Sequence, residues 1–161
     1  MAGEDPCSDE LSAAVAAFTQ RGTVEPGLDV EGDALLQLRK ACRILDGIRA
    51  LRDIDRHHTL VVEGSFAALE RTVQFYVVDQ GVAEVNDLMN HEDAFEYGMQ
   101  AGVFSEATKD EQVELWQTYR NGTYYQQERA TAEQAEAMLA YAECMHEHVP
   151  KLAGRAHDCI C

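Results

Sequence analysis

The sequence predicts an all-α fold, a single-domain bundle of about five or six helices with an up-down core. Apolar residues recur at helical spacing along most of the chain. No segment alternates Val, Ile or Thr with polar residues over a strand length. Cap and stop residues recur at intervals of helical length. At 161 residues the chain is one domain's worth, long enough to bury a core without staples. A 46% apolar and 26% charged composition is that of a globular protein.

The first helix follows Ser8 or Asp9 and carries Leu11, Val15 and Phe18 on one face. Gly22 ends it, and Pro26-Gly27 makes a turn. The second runs from about Glu31 to Arg56, with Leu38, Ala41, Leu45, Ile48 and Leu51 on one stripe. Cys42 falls within this pattern and reads as a small core residue. The third begins near Thr59 and closes at Gly81. Its stripe of Val62, Phe66, Leu69, Val73 and Val77 is widened by Leu60, Ala67, Phe75 and Tyr76, which makes it the central helix.

The fourth helix covers about His91 to Ala101 and stops at Gly102. Ser105 caps the fifth, which carries Val113, Leu115, Trp116 and Tyr119 and ends at Asn121-Gly122. A loop from Gly122 to Ala130 follows. Thr131-Ala132-Glu133-Gln134 is a capping box opening the last helix, expected to reach Val149 before Pro150. That helix has one apolar stripe of Ala135, Met138, Ala142, Met145 and Val149, and a second of Ala137, Tyr141, Cys144 and His148. One can face the core, and the other needs a neighbouring helix or a second protomer. His146 reads as a surface residue.

The charge limits the partners. Twenty-nine acidic residues stand against 13 basic ones, a net −16, and only Lys40, Lys109 and Lys151 are lysines. Such a surface repels nucleic acid in general, so RNA must meet a local basic patch. An acidic, lysine-poor chain also looks like a protein of a salt-accumulating cytoplasm, such as that of haloarchaea, where salt screens the carboxylates. No apolar run is long enough for a membrane helix, and no signal peptide precedes the first helix. The expected location is the cytoplasm, with no membrane partner. Five cysteines in that setting do not read as a disulfide framework.

The stretch from Leu115 to Tyr125 concentrates the chemistry. Arg120 can hold a phosphate bidentately, Asn121 can orient it or bind a base edge, and Tyr124 and Tyr125 offer stacking faces and phenolic donors. Equally, Arg120 can stack on Trp116 and satisfy the carbonyls of its own helix end.

This segment resembles the signature of HEPN domains, an all-helical family of toxin–antitoxin pairs and nucleotidyltransferase partners. That signature is an Arg, often followed by Asn, then a His a few residues on, before the final long helix. The resemblance spans about Leu60 to Val149. It includes the Gly64-Ser65-Phe66-Ala67-Ala68-Leu69-Glu70 helix, the His91-Glu92-Asp93 start, and the Ala/Glu-rich last helix. It implies a HEPN-like core over about 59–150, N-terminal helices over about 8–56 packing on it, and a tail over 151–161.

The resemblance also implies a dimeric binding or regulatory module, a homodimer partnered with a nucleotidyltransferase or with RNA or a nucleotide. Where the family has its His, this chain has Tyr125, Gln126 or Gln127. Tyrosine, with a pKa near 10, is a poor acid or base at neutral pH. The implied module is therefore catalytically degenerate, the alternative being an endoribonuclease using Arg120 with Tyr125. Some members carry a tyrosine that the partner enzyme adenylylates, a role open to Tyr124 or Tyr125.

Two other features stand out. Arg39, Arg43, Arg49, Arg52 and Arg56 crowd one helix, able to receive phosphates or an acidic partner, or to pair with Asp46, Asp53 and Asp55. In the tail, His157, Cys159 and Cys161 share one side if the chain is extended, and Cys144 and His148 lie i, i+4 on one helix face. The main expectation for this tail is free thiols, with no metal and no cofactor; alternatively these five residues could supply a four-coordinate zinc site, the basis of a third expectation, a zinc-stabilised regulatory protein.

Overall fold

The computed structural model describes residues 6–123 and 125–161, except for the side chains of Arg120 and Asn121. Among the described residues there are six α-helices and no strand: α1 Ser8–Thr19, α2 Asp33–Asp53, α3 His58–Asp79, α4 His91–Gln100, α5 Glu106–Thr123 and α6 Ala132–Leu152. Short 3-10 turns cover Val85–Asp87 and Ala156–Asp158. No helix is long and apolar enough to cross a membrane.

The centre is α3, packed against α2, α4 and α6. Its apolar residues cover most of its circumference because it has neighbours on three sides. Phe66, Leu69, Val73, Phe75 and Val77 are all buried. Each such side chain removed from water contributes roughly 1.5–3 kcal/mol. Close approach of α2 to α3 depends on Gly64, where an added Cβ would collide with Ile48 Cγ2. The first stripe of α6 is buried in this core, whereas Ala137, Cys144 and His148 of the second are exposed.

The helix ends follow local chemistry. Ser105 Oγ accepts from Thr108 N at the start of α5, and Thr131 and Gln134 form the reciprocal box of α6. Gly81 and Gly102, at φ 67° and 81°, close α3 and α4.

Several boundaries differ from the sequence expectation. Helix α2 ends at Asp53 rather than Arg56, and Asp55 turns the chain at φ 56°. Asn121-Gly122 does not stop α5, which continues to Thr123. Pro150 lies inside α6, which runs on to Leu152. Leu60, assigned to the wide apolar face of α3, is 54% exposed. Helix α1 buries no residue, so of the two N-terminal helices it is α2 that packs on the core.

Candidate metal centre

The turn after α6 sets the geometry. Gly154 takes φ 69°, Gly154 N donates to Lys151 O, and Arg155 N donates to Pro150 O, a Schellman arrangement. It reverses the chain so that the tail runs back over α6 and α2. Arg155 fixes this return by pairing with Asp79 of α3 and with Asp158. Ile160 reaches the Pro26-Gly27 turn, where its Cδ1 would lie 2.9 Å from a Cβ placed on Gly27.

The returning tail brings Cys159 and Cys161 to Cys42 of α2 and His146 of α6. Around His146 Nε2, the Sγ atoms of Cys42, Cys161 and Cys159 stand at 3.2, 3.2 and 3.3 Å. Cys159 Sγ lies 3.8 Å from Cys42 Sγ and 3.9 Å from Cys161 Sγ. All four donor atoms fall within 4.8 Å of one another. A tetrahedral zinc ion with ordinary bond lengths would put sulfurs about 3.8 Å apart and sulfur about 3.5 Å from nitrogen. The two sulfur separations from Cys159 match, and the sulfur–nitrogen ones are about 0.3 Å shorter than this ideal.

His146 is held for this role. Its Nδ1 is 2.8 Å from Oγ1 of the fully buried Thr72 on α3. With Nδ1–H donating to that hydroxyl, Nε2 keeps its lone pair toward the three sulfurs, the arrangement of a ligating histidine. Pro150 has no N–H to bond the carbonyl of His146, four residues back, and α6 still continues through this point.

The electrostatics favour a cation. The Cys42 thiol is lowered from 9.0 to about 3, chiefly by the hydrogen bond from Cys161, with His146 adding to the effect against the cost of burial. The Cys161 thiol is raised, because it shares its proton with Cys42 and is partly buried. Burial raises Cys159, and the neighbouring Cys42 charge adds to it. Of the three thiols, Cys42 is thus the one favoured to ionise first. A bound dication would let all three thiols ionise. Arg49 stands beside the cluster, held by Glu143 Oε1 at 2.7 Å, and its guanidinium is adjacent to Cys161.

The sequence expectations meet this geometry unevenly. Cys159 and Cys161 are in the cluster. Cys144, His148 and His157 are exposed outside it, and His157 faces Asp158 at 3.6 Å. Their places are taken by Cys42 and His146. His146, expected at the surface, is 4% exposed, because it continues the buried line of Leu139, Ala142 and Val149. Cys42 is buried as expected, with its sulfur turned to the tail.

The arginine run largely pairs with carboxylates: Arg43 with Glu25, Arg49 with Asp46 and Glu143, and Arg52 with Asp53. Asp55 pairs with His58 instead. Arg39 is half-buried, and its Nε has no partner. Tyr125 is exposed on the turn before α6. Tyr124 and the side chains of Arg120 and Asn121 lie outside the described residues. Trp116 packs edge-on against Phe66 and beside His91, whose Nδ1 meets both oxygens of the buried Glu70 at 2.9 and 3.0 Å.

Fold and cluster together define a small all-helical protein in which three cysteines and a histidine converge from two helices and a folded-back tail. The chain belongs to the DUF8154 family, a domain of unknown function whose model matches residues 2–161. No curated protein and no solved structure matches the chain significantly.

Proposed function

We propose that the protein is a non-catalytic, zinc-stabilised regulatory module, in which one Zn²⁺ held by Cys42, His146, Cys159 and Cys161 locks the tail onto α2 and α6. The observation that carries this is the convergence of four soft donor atoms within 4.8 Å, one of them a histidine nitrogen oriented from behind by Thr72. Four protein ligands fill a tetrahedral zinc shell and leave no position for an activated water, which makes the role structural rather than hydrolytic. The thiol-rich set selects zinc over the hard cations magnesium and calcium. Metal analysis of protein purified under reducing conditions tests this. One zinc per chain, and an intense thiolate-to-metal absorption after cobalt substitution, are expected. Substoichiometric zinc with no such absorption would remove the proposal.

A second reading rests on a separate observation. An apolar groove lined by Val62, Phe66, Leu115, Tyr119, Met138 and Tyr141 opens between α3, α5 and α6, with Leu115 45% exposed. It runs beside the exposed second stripe of α6. It supports a HEPN-like module that pairs with a second copy through α6. Tyr141→Arg should then convert a dimer to a monomer by putting a charge into the apolar contact. A native protein that is monomeric by light scattering at micromolar concentration in high salt would exclude this pairing.

A further inference from the structure

Among the described residues, helix α1 and the apolar groove each stand without a partner. Leu11, Val15 and Phe18, at i, i+4 and i+7, make one apolar face of α1, and Phe18 is 91% exposed. At 12 residues α1 is near the lower limit of what persists as a helix alone in water, so a covered face is what would sustain it. The groove between α3, α5 and α6 is lined by Phe66, Leu115, Met138 and Tyr141 and opens to solvent. A helix with apolar anchors at i, i+4 and i+7 is the element that fits such a groove.

The α1 of the same chain does not reach it. The link behind α1 is tied down, because Glu25 pairs with Arg43 of α2 and Gly27 lies against Ile160 of the tail. Arg43 stands about 140° around α2 from Ile48, which meets α3, so Glu25 is held on the outer face of α2. Tyr141 stands about 140° around α6 from His146, which faces Cys42 of α2, so the groove opens on the far side of α6. The path between them crosses one helix spacing and half the girth of α6, about 25 Å. The chain from Thr19 to Glu25 spans only about 21 Å when fully extended.

We propose that α1 docks in the groove of a second copy of this chain, and that the exchange is reciprocal. Leu11, Val15 and Phe18 of one copy are covered by the groove of the other. This rests on the pairing reading above and names the contact that holds the pair. In a two-fold arrangement each copy donates one helix and fills one groove, so no apolar face is left over. The short link sets no limit here, because two copies adjust their own separation. Helix α1 carries Asp9 and Glu10 and no basic residue, so the attraction is apolar rather than ionic. Two chains of net charge −16 repel one another, and salt that screens this repulsion favours the pair.

The test measures the mass of the full chain by light scattering over a concentration series in molar KCl. The native chain should be a dimer at micromolar concentration. Phe18→Asp alters a side chain that the single copy leaves in water, so its helix content by circular dichroism should match the native. Its pairing should weaken at least about tenfold, because a carboxylate then enters an apolar contact. Leu115→Asp, at an exposed position in the groove, should weaken pairing likewise. Mixing the two variants is the decisive arm. Phe18→Asp keeps an intact groove and Leu115→Asp keeps an intact α1, so the mixture should form a dimer at tens of micromolar, where neither variant pairs alone. A monomeric native chain overturns the pairing reading and the exchange together. A Phe18→Asp chain that pairs like the native overturns the exchange and leaves pairing through α6 standing. A mixture that stays monomeric also overturns the exchange, since it shows that the two faces do not meet.

Discussion

Thr72→Val is the most informative single change, because it leaves all four proposed donor residues in place and removes only the support of one of them. Valine has nearly the volume of threonine and keeps the helix contact, but it removes the hydroxyl 2.8 Å from His146 Nδ1. Thr72 is fully buried, so no water replaces that acceptor. Two effects follow. The imidazole N–H loses its partner in a dry site, at a cost of about 1–3 kcal/mol to the folded state. In a domain of this size that is a fall of up to roughly 10 °C in melting temperature. The ring also loses the contact that aims Nε2 at the three sulfurs, and loss of such a supporting contact weakens metal binding by about 10- to 100-fold. The assay is competition for zinc against a chelator of known affinity, beside thermal melts with and without metal. Thr72→Ser, which keeps the hydroxyl, should recover most of the affinity. A Thr72→Val protein that melts lower but binds zinc with unchanged affinity would refute the reasoning, by showing that His146 Nε2 is not a ligand.

Other consequences can be checked alongside. Gly64→Ala should destabilise the protein by about 1–3 kcal/mol in a denaturant titration, because the added methyl meets Ile48 where α2 and α3 cross. The melting midpoint should rise from dilute buffer to molar KCl, since a net charge of −16 repels itself and salt screens it; equal midpoints would remove the halophilic expectation. Mixed-sequence RNA should survive incubation with the protein, because the resemblance to HEPN domains puts Tyr125, Gln126 or Gln127, and no histidine, after Arg120. Cleavage that disappears in Arg120→Ala would show the reverse.

The helices were legible in the sequence because each packed face repeats its apolar residues at helical spacing. The stripe of α3 and the first stripe of α6 are buried as that spacing implies. Periodicity gives a face but not its partner, which is why α1, with Leu11, Val15 and Phe18 aligned, gives no hint that all three are exposed. The candidate centre was half legible. Cys159 and Cys161 announced themselves by spacing, and Cys144 and His148 looked like their complement by the same local logic. The other two ligands come from helices that meet only in the folded bundle. Cys42 and His146 are 104 positions apart in sequence. A usable sign was present: His146 extends the apolar line of Leu139 and Ala142, and a histidine on a core stripe needs a polar partner for each nitrogen. The Pro150-to-Gly154 turn, which sends the tail back, was read only as a helix end.

The long reach between the ligands has a kinetic consequence. Cys42 and Cys159 are separated by 117 residues, so their meeting closes a very large loop. No short peptide from this chain contains the whole donor set, and the set assembles only after α2, α3 and α6 have docked. A metal bound there would therefore act late, after the rate-limiting ordering of the bundle. Interactions absent from the transition state leave the folding rate alone and slow unfolding. On this view the ion does little to help the chain find its fold, and instead lengthens the lifetime of the fold once it is found.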